Sequence, residues 1–266
     1  MAQPGGFSMN RSVGMLGYGK ATMVQPFLDS VGGRMATTDE IIANTTLPMA
    51  VAGITKRIIP NCARKQSLDW YCIDTGYFGN RTSHKNWFRI TRNEYQNSQS
   101  VRPRPGERLS SLRLDRAQYA RGRRIMVIPT HPKVCEAWQL GNADTWLANT
   151  VALIKQHTDR PVIIRDRPAS RYVRQFHDVF TDAIQDDVYA VVAWTSNCLV
   201  ESAMHGIPVV SLGPSAALQV SGQMRQIDNL PTLDHCQIEA WMRHLSYGQF
   251  TLAEMRSGTA WRMLND

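Results

Sequence analysis

The sequence has few cysteines and no cysteine pair with the spacing of a metal or redox site. Its five cysteines are spread over 266 residues, and no CxxC motif is present. The nearest mixed pair of metal-ligand types is His235 and Cys236, and adjacent side chains rarely converge on one ion. Buried, reduced thiols are therefore the favoured interpretation, and we predict neither structural zinc nor thiol redox chemistry.

Long apolar runs are also lacking. No stretch approaches the roughly 18 apolar residues that a membrane-spanning helix needs. Residues 1–7 have no basic segment followed by an apolar run, so no secretory signal is expected. With 43% hydrophobic and 20% charged residues, the chain is expected to fold as one large or two small globular domains. We expect a soluble, cytoplasmic protein without membrane insertion.

Positive charge is concentrated in one segment. The formal net charge is +8, and residues 81–124 contain eleven arginines and one lysine against three acidic residues. The guanidinium group of arginine can donate two hydrogen bonds to phosphate oxygens, so a polyanion such as nucleic acid is a candidate partner. The alternative is a solvated basic face beside a nucleotide pocket. The charge distribution by itself favours the polyanion partner and the solvated basic face equally.

The second half of the chain, residues 123–266, alternates apolar strands with helical periodicity. Four apolar runs suit buried strands, at residues 124–129, 161–165, 188–194 and 207–212. Helices are predicted between and after them, at residues 144–157, 170–184, 197–205, 238–245 and 251–264. Such alternation produces βαβ units, so we predict an α/β fold with a parallel, Rossmann-like sheet covered on both faces.

The first half, residues 1–122, is predicted to form a separate α/β domain that contains the basic segment. Its strand candidates are residues 11–18, 49–54, 68–73 and 87–91, and its helix candidate is residues 55–65. This half is expected to be less regular than the second. The domain division is therefore predicted between residues 122 and 123.

Small polar residues follow the predicted strand that ends at Trp194. They are Thr195, Ser196 and Asn197, and a helix is predicted to begin there. In an open parallel sheet, such a junction brings backbone N–H groups and the positive end of a helix to the ligand-binding edge. Ser196 acting only as a helix cap is the simpler alternative.

Charged residues suited to a nucleotide are predicted at the same edge. Glu201 lies one turn into the helix and could accept hydrogen bonds from ribose hydroxyls. Arg165 and Arg167 come directly after the preceding strand, where guanidinium groups can pair with diphosphate oxygens. The alternative for Glu201 is a solvated surface carboxylate. Together these residues predict a nucleotide site.

The run Thr195-Ser196-Asn197, followed by Glu201 and Gly206, resembles the donor-binding signature of GT-B-type glycosyltransferases. The resemblance implies two Rossmann-like domains facing a cleft. The N-terminal domain would bind the acceptor, the C-terminal domain would bind the nucleotide sugar, and terminal helices could cross back. A chain of 266 residues is short for this architecture, which implies a trimmed N-terminal domain.

A second resemblance is to small glycosyltransferase-like proteins of bacteriophages. It rests on residues 71–78, Tyr-Cys-Ile-Asp-Thr-Gly-Tyr-Phe, and residues 88–93, Phe-Arg-Ile-Thr-Arg-Asn. Some such proteins modify 5-hydroxymethylated pyrimidines in phage DNA, which implies a DNA acceptor and a location in the host cytoplasm. The alternatives are a glycosyltransferase acting on a cell-envelope or capsular glycan, and a nucleic-acid-binding protein without activity.

Glycosyl transfer needs a base for the acceptor hydroxyl and positive groups for the leaving diphosphate. The GT-B resemblance implies arginines and a helix N-terminus in the second role, and no obligatory cofactor or metal. Asp74, at the end of a predicted strand, is the predicted base, although a turn aspartate is the alternative. His131 is the next candidate for the base or for a phosphate contact. Gly17 and Gly19 could let the donor approach the backbone.

A DNA acceptor predicts a set of contacts in the basic segment. Arginines would hold phosphates, and an aromatic ring would stack beside a base taken out of the duplex. The predicted contact residues are Trp87, Arg89, Arg92, Arg102, Arg104, Arg108 and Arg113.

Overall fold

A computed structural model describes the chain in six ranges, which are residues 13–78, 87–114, 116–165, 180–185, 187–232 and 234–266. Ten strands in these ranges form two sheets. Arg167 and most of the helix predicted at residues 170–184 lie outside the described residues.

The first sheet has six strands in the order β10-β5-β4-β3-β1-β2. These are β1 (Leu16–Tyr18), β2 (Arg34–Met35), β3 (Met49–Ala52), β4 (Trp70–Thr75), β5 (Trp87–Arg92) and β10 (Gln249–Thr251). Strands β1 to β4 are parallel to one another, and β5 is antiparallel both to β4 and to β10. The first half is therefore a mixed sheet with a parallel centre.

The second sheet has four parallel strands in the order β7-β6-β8-β9. They are β6 (Arg124–Val127), β7 (Val162–Ile164), β8 (Val188–Ala193) and β9 (Val209–Ser211). All six residues of β8 are buried, as expected for a central strand of a sheet covered on both faces. The parallel sheet predicted for the second half is confirmed.

Helices connect most of these strands. They are α1 (Ala21–Asp29), α2 (Thr38–Ala43), α3 (Ile58–Gln66), α4 (Glu107–Ser111), α5 (Pro132–Trp138), α6 (Ala143–Lys155), α7 (Phe180–Gln185), α8 (Asn197–Met204), α9 (His235–Ser246), α10 (Leu252–Arg256) and α11 (Thr259–Asn265). Short 3₁₀ helices are found at Leu218–Val220 and Met224–Asn229. Within the described ranges, none of the helices combines the length and apolar character needed to cross a bilayer.

Both faces of each sheet are buried. In β4, Tyr71 and Ile73 belong to one apolar cluster, whereas Trp70 and Cys72 belong to another on the opposite face. The residues of β6 and β8 are divided between two further clusters in the same way, except that Tyr189 and Ala190 share one cluster where the register between β6 and β8 is irregular. This alternation follows from the two-residue period of side chains along a strand. Because the apolar clusters cover the faces of the sheets, a ligand site can form only at the ends of the strands.

The C-terminal segment returns to the first sheet. After α9 packs on the second half through Ile238 and Trp241, β10 pairs with β5, and α10 contacts α1. The single helix predicted at residues 251–264 is two helices, because Gly258 has a left-handed φ of 75°. Residues 249–266 thus pack with the N-terminal half, although the predicted division assigned them to the C-terminal domain.

Arg108 holds this returning segment together. Its guanidinium donates hydrogen bonds to the carbonyl oxygens of Ser246 and Gln249 and forms an ion pair with Glu254. It also lies 5.1 Å from the ring centroid of Phe250. The prediction that Arg108 contacts DNA is therefore corrected, because its donors already bind α9, β10 and α10.

We expect Glu254→Gln to weaken the fold at neutral pH more than at acid pH. Burial would raise the pKa of Glu254, but the bonds from Arg108 and Thr251 outweigh it and lower the pKa below its ordinary value. The stabilisation is then present above the ordinary pKa of about 4.3 and is lost as the pH falls through the folded value. The expected loss of unfolding free energy at pH 7 is about 2 kcal/mol, measured by urea unfolding.

Glu40→Gln is the matched control for this experiment. Glu40 occupies the same capping-box position in α2 that Glu254 occupies in α10, but its partner Arg34 is 61% exposed. A much smaller loss is expected at this exposed pair. Equal losses at both positions would contradict a specific role for the Arg108–Glu254 pair.

Candidate active site

A cavity of about 660 Å³ opens between the two sheets at the carboxyl ends of their strands. Its walls come from the end of β4 and the first half of β5, from the segments that follow β6, β7 and β8, and from the first turn of α8. Open α/β sheets bind ligands at this edge, and the volume lies in the usual range of small-molecule sites. This cavity is the candidate active site.

Most of the residues predicted to act on a nucleotide sugar are brought together here. The predicted residues that line the cavity are Asp74, His131, Arg165, Thr195, Ser196, Asn197 and Glu201. They come from four separate segments, namely the end of β4, the segments after β6 and β7, and the junction of β8 with α8. Only the tertiary structure places them around one space.

The turn after β8 forms the cap of α8. The hydroxyl oxygen of Ser196 accepts a hydrogen bond from the backbone N–H of Cys198, at 3.2 Å. The hydroxyl oxygen of Thr195 accepts a hydrogen bond from the side-chain amide of Gln96, at 2.9 Å. The positive end of α8 therefore borders the cavity, and Ser196 has the capping role that the sequence also allowed.

Asn197 joins the two sheets. Its side-chain nitrogen donates to the carbonyl oxygen of Gly76 at 2.8 Å, and its side-chain oxygen accepts from Arg89 at 3.2 Å. Both polar atoms of the amide are thus bound to the first half of the chain. The predicted contact of this side chain with the donor is corrected to a contact between the sheets.

Asp74 and Arg89 form an ion pair at the edge of the first sheet. The guanidinium of Arg89 lies 2.9 Å from one carboxylate oxygen of Asp74, and the N–H of Thr75 donates to the other at 2.8 Å. The Arg89 side chain is only 5% exposed, whereas that of Asp74 is 26% exposed. Asp74 is therefore fixed in orientation and still reachable from the cavity.

Trp87 and Arg89 cannot contact DNA as the sequence analysis predicted. Trp87 is 9% exposed and belongs to an apolar core cluster, and a Cβ atom at Gly76 would lie only 2.8 Å from its own Cβ. Arg89 is buried with its NH1 and NH2 groups bonded to Asp74, Thr75 and Asn197. Both predictions are wrong, because these side chains are enclosed where the two sheets meet.

His131 caps α5 with its ring. Its Nδ1 accepts a hydrogen bond from the backbone N–H of Lys133 at 3.1 Å. In the neutral ring the proton must then be on Nε2, which makes His131 a hydrogen-bond donor rather than a base at this position. Lys133 itself lines the cavity. Sequence reasoning missed Lys133, although its place two residues after His131 could have indicated it; it lies in the first turn of α5.

Arg165 follows β7, as predicted, and borders the cavity. Its backbone N–H extends the pairing with β6 by donating to the carbonyl oxygen of Val127 at 3.0 Å. Its guanidinium carbon lies 5.3 Å from the ring centroid of Phe180 on α7. Arg165, Phe180 and the start of α8 thus line the same cavity.

Gly17 and Gly19 are packing residues and do not line the cavity. A Cβ atom at Gly17 would lie 2.4 Å from Leu28 and 2.9 Å from Val24 of α1. Gly19 has a φ of +99° and lies against Ala52 of β3. The prediction that they admit the donor is corrected, since both allow close contact within the first half.

The remaining predicted DNA contacts lie away from the cavity. Arg92, Arg102 and Arg104 line a second groove, and Arg113 is exposed with a φ of 50°. Arg92 forms an ion pair with Asp69 at 2.7 Å. A role of these four arginines in binding DNA stays a prediction.

Metal-ligand clusters are not found in the part of the chain that the structure describes, where no three His, Cys, Asp or Glu side chains could surround an ion. Asp187 precedes β8, at the sheet edge opposite the cavity, and pairs with Arg123 at 3.1 Å. The expectation of no obligatory metal or other cofactor stays a prediction.

Comparisons with known proteins relate the chain to others through its fold. No known protein-family profile and no curated protein matches the sequence. Among solved structures, it is similar to the beta Kdo 2,7 transferase of Thermosulfurimonas dismutans KpsC. That similarity has a TM-score of 0.53 at 12% identity and covers 95% of this chain and 98% of the other.

The beta Kdo 2,4 transferase of the same KpsC is a second similar structure. It gives a TM-score of 0.49 at 11% identity, over 88% of this chain and 91% of the other. At 12% identity the first similarity shows a shared fold. The chain therefore shares the α/β fold of the beta Kdo 2,7 transferase.

Proposed function

We propose that this protein is a glycosyltransferase that moves a sugar from a nucleotide sugar to a hydroxyl group of a glycan. The observation that carries the proposal is the cavity between the two sheets. It combines an oriented carboxylate, Asp74, with a guanidinium, Arg165, and the start of α8. The shared fold with a beta Kdo 2,7 transferase supports the same class of reaction.

The second half supplies the groups that would hold the donor. Arg165, Lys133 and the Nε2–H of His131 can donate hydrogen bonds to phosphate oxygens beside the N-terminus of α8. Negative charge grows on the leaving phosphate as the glycosidic bond breaks, so these donors stabilise the transition state more than the ground state. Glu201, one turn into α8, is suited to the ribose hydroxyls.

The first half supplies the base. Asp74 is anchored by Arg89 and by the N–H of Thr75, and each carboxylate oxygen can accept a further hydrogen bond. An acceptor hydroxyl that binds against the end of β4 would donate its proton to Asp74 as it attacks the sugar. The mechanism thus needs the acceptor on the first sheet and the donor on the second.

A glycan acceptor is favoured because fewer side chains of the basic segment, residues 81–124, are free to bind DNA than the sequence suggests. The side chains of Trp87, Arg89 and Arg108 are engaged inside the protein. The protein of similar structure is described as a beta Kdo 2,7 transferase. An oligosaccharide that ends in a free hydroxyl is the acceptor class that fits these observations.

Hydroxymethylated DNA is the second candidate acceptor. It is supported by the excess of arginine in residues 81–124 and by four arginines outside the cavity: Arg92, Arg102, Arg104 and Arg113. A base would still have to leave the duplex to bring its hydroxymethyl group to Asp74. This acceptor predicts strongly salt-dependent binding of duplex DNA.

The test is incubation of the protein with a panel of nucleotide sugars and either oligosaccharides or hydroxymethylcytosine-containing DNA. Mass spectrometry of the products then identifies the acceptor. We expect transfer to an oligosaccharide and no mass change in the nucleosides. Arg165→Gln should reduce transfer by about 100-fold, because it removes one donor to the leaving group. Arg225→Gln, at an exposed arginine outside the cavity, should leave transfer unchanged.

Two outcomes would contradict the proposal in different ways. A glycosylated hydroxymethylcytosine would replace the glycan with DNA and keep the enzyme class. Failure of every nucleotide sugar to bind in calorimetric titrations would reject glycosyl transfer itself, and would favour a nucleic-acid-binding protein without activity.

A further inference from the structure

A second groove, separate from the candidate active site, lies at the opposite edge of the first sheet. Its volume is about 400 Å³, and its walls are the end of β5, the segment that follows it, the end of α9 and α11. In the β4–β5 pair, Tyr71 lies opposite Arg92, and Asp74 lies opposite Arg89, three residues away. At about 3.4 Å per residue, the groove is therefore roughly 10 Å along the strands from Asp74.

His244 places an unused hydrogen-bond donor in this groove. The ring is 6% exposed, and its Nδ1 accepts the backbone N–H of Arg102 at 3.3 Å. The proton of the neutral ring is consequently on Nε2, and this buried nitrogen has no partner among the residues that the structure describes. Burial and the nearby Arg104 and Arg102 lower the pKa of His244 to about 4, so the ring is neutral at pH 7.

Two arginines add further donors. The guanidinium of Arg104 lies 5.2 Å from the ring centroid of Tyr247, which fixes its plane, and its buried Nε has no acceptor within the described ranges. Arg102 lies near the carboxylate of Glu94, and its charge opposes the rise in the pKa of Glu94 that burial causes. Buried donors are nearly always paired in folded proteins, so the Nε of Arg104 and the Nε2 of His244 indicate an acceptor that comes from outside the chain.

The acidic residues of the groove do not satisfy these donors. The carboxylate of Glu94 accepts hydrogen bonds from the N–H and hydroxyl of Ser98. Arg92, which lines the groove, pairs with Asp69 outside it, and Asp266 is exposed at the rim. The buried Nε of Arg104 and Nε2 of His244 therefore receive no acceptor from these carboxylates.

We propose that the donors of Arg102, Arg104 and His244 form a binding site for a compact oxyanion, a phosphate or carboxylate group. Oxyanions have several acceptor lone pairs, and charge-assisted bonds to guanidinium are the strongest match for them. The volume fits a group of the size of a sugar phosphate and not a DNA duplex. This site is independent of the proposed transferase reaction, because none of its residues lines the first cavity.

The test uses histidine-ring NMR of the full chain, titrated with pyrophosphate and, separately, with malonate. His244 reports on the groove and His131 on the candidate active site, so the two sites are read independently. We expect one or both anions to shift the His244 ring signals, and the tighter anion identifies phosphate or carboxylate. The double variant Arg102→Gln/Arg104→Gln should bind at least about tenfold more weakly.

Arg256→Gln is the matched control, since Arg256 is an exposed arginine on α10 outside the groove, and it should titrate like the parent. The proposal is overturned if both anions move His244 no more than chloride does at equal ionic strength. It is overturned as well if the double variant binds like the parent. A shift of His244 by a short DNA duplex but by neither small anion would assign the groove to nucleic acid and also reject the compact site.

Discussion

Replacement of Asp74 by Asn is expected to slow glycosyl transfer by about 10³-fold while leaving donor affinity within about twofold. The amide keeps the shape of the carboxylate and can still accept one hydrogen bond, but it cannot take up the proton of the acceptor hydroxyl. The loss should appear in kcat, because the proton moves only in the transition state. Steady-state transfer rates and calorimetric donor titrations measure the two quantities separately.

Asp69→Asn is the matched control for Asp74→Asn. Asp69 pairs with Arg92 as Asp74 pairs with Arg89, but it lies at the amino end of β4, away from the cavity. We expect its replacement to leave transfer unchanged. If Asp74→Asn also retained full activity, Asp74 would be a turn aspartate, and the base would have to be another residue of the cavity.

Replacement of Arg89 by Leu is expected to lower the free energy of unfolding by about 3 kcal/mol, the cost of breaking a buried ion pair. The guanidinium donates to Asp74, to the carbonyl of Thr75 and to Asn197 on the other sheet, and leucine leaves all three without this donor. Urea unfolding followed by fluorescence measures the loss. Because Asn197 begins α8, the same change should also loosen the contact between the sheets.

Arg92→Leu provides the comparison on the same strand. The Arg92–Asp69 pair is 39% and 38% exposed, so its loss should cost less than about 1 kcal/mol. A double-mutant cycle of Arg89→Leu with Asn197→Ala should show a coupling of about 1 kcal/mol, the value of one such hydrogen bond. Equal losses for the two arginine variants, with no coupling to Asn197, would mean that Arg89 does not connect the sheets energetically.

The sequence was informative where local pattern and burial agree. The apolar runs of β6 and β8 predicted a parallel sheet because such strands are buried on both faces and so lack polar alternation. The polar turn after Trp194 predicted a helix start at the strand end, and Ser196 does cap α8 there. The sequence also predicted that Asp74 lies at the end of β4, because the apolar run of that strand stops just before it.

Residue roles in the basic segment were predicted less well, because composition does not report side-chain partners. Trp87, Arg89 and Arg108 resemble surface DNA contacts in the sequence, yet each is enclosed by chain segments far away in sequence. For Arg108 those segments lie some 140 residues later, in α9, β10 and α10. Strand β10 was missed because three residues give too short a pattern to predict a strand.

By itself the sequence determined the alternation of strands and helices, and with it the edge at which strand ends and helix starts meet, because these depend on periodicity and turn chemistry within a few residues. Only the tertiary structure decided which polar side chains face the cavity and which form hydrogen bonds between the two sheets. Asn197 and Arg89 satisfy each other across the two halves, whereas Asp74 remains reachable. Hydrogen-bond partners brought together by folding, and not residue type, make that distinction.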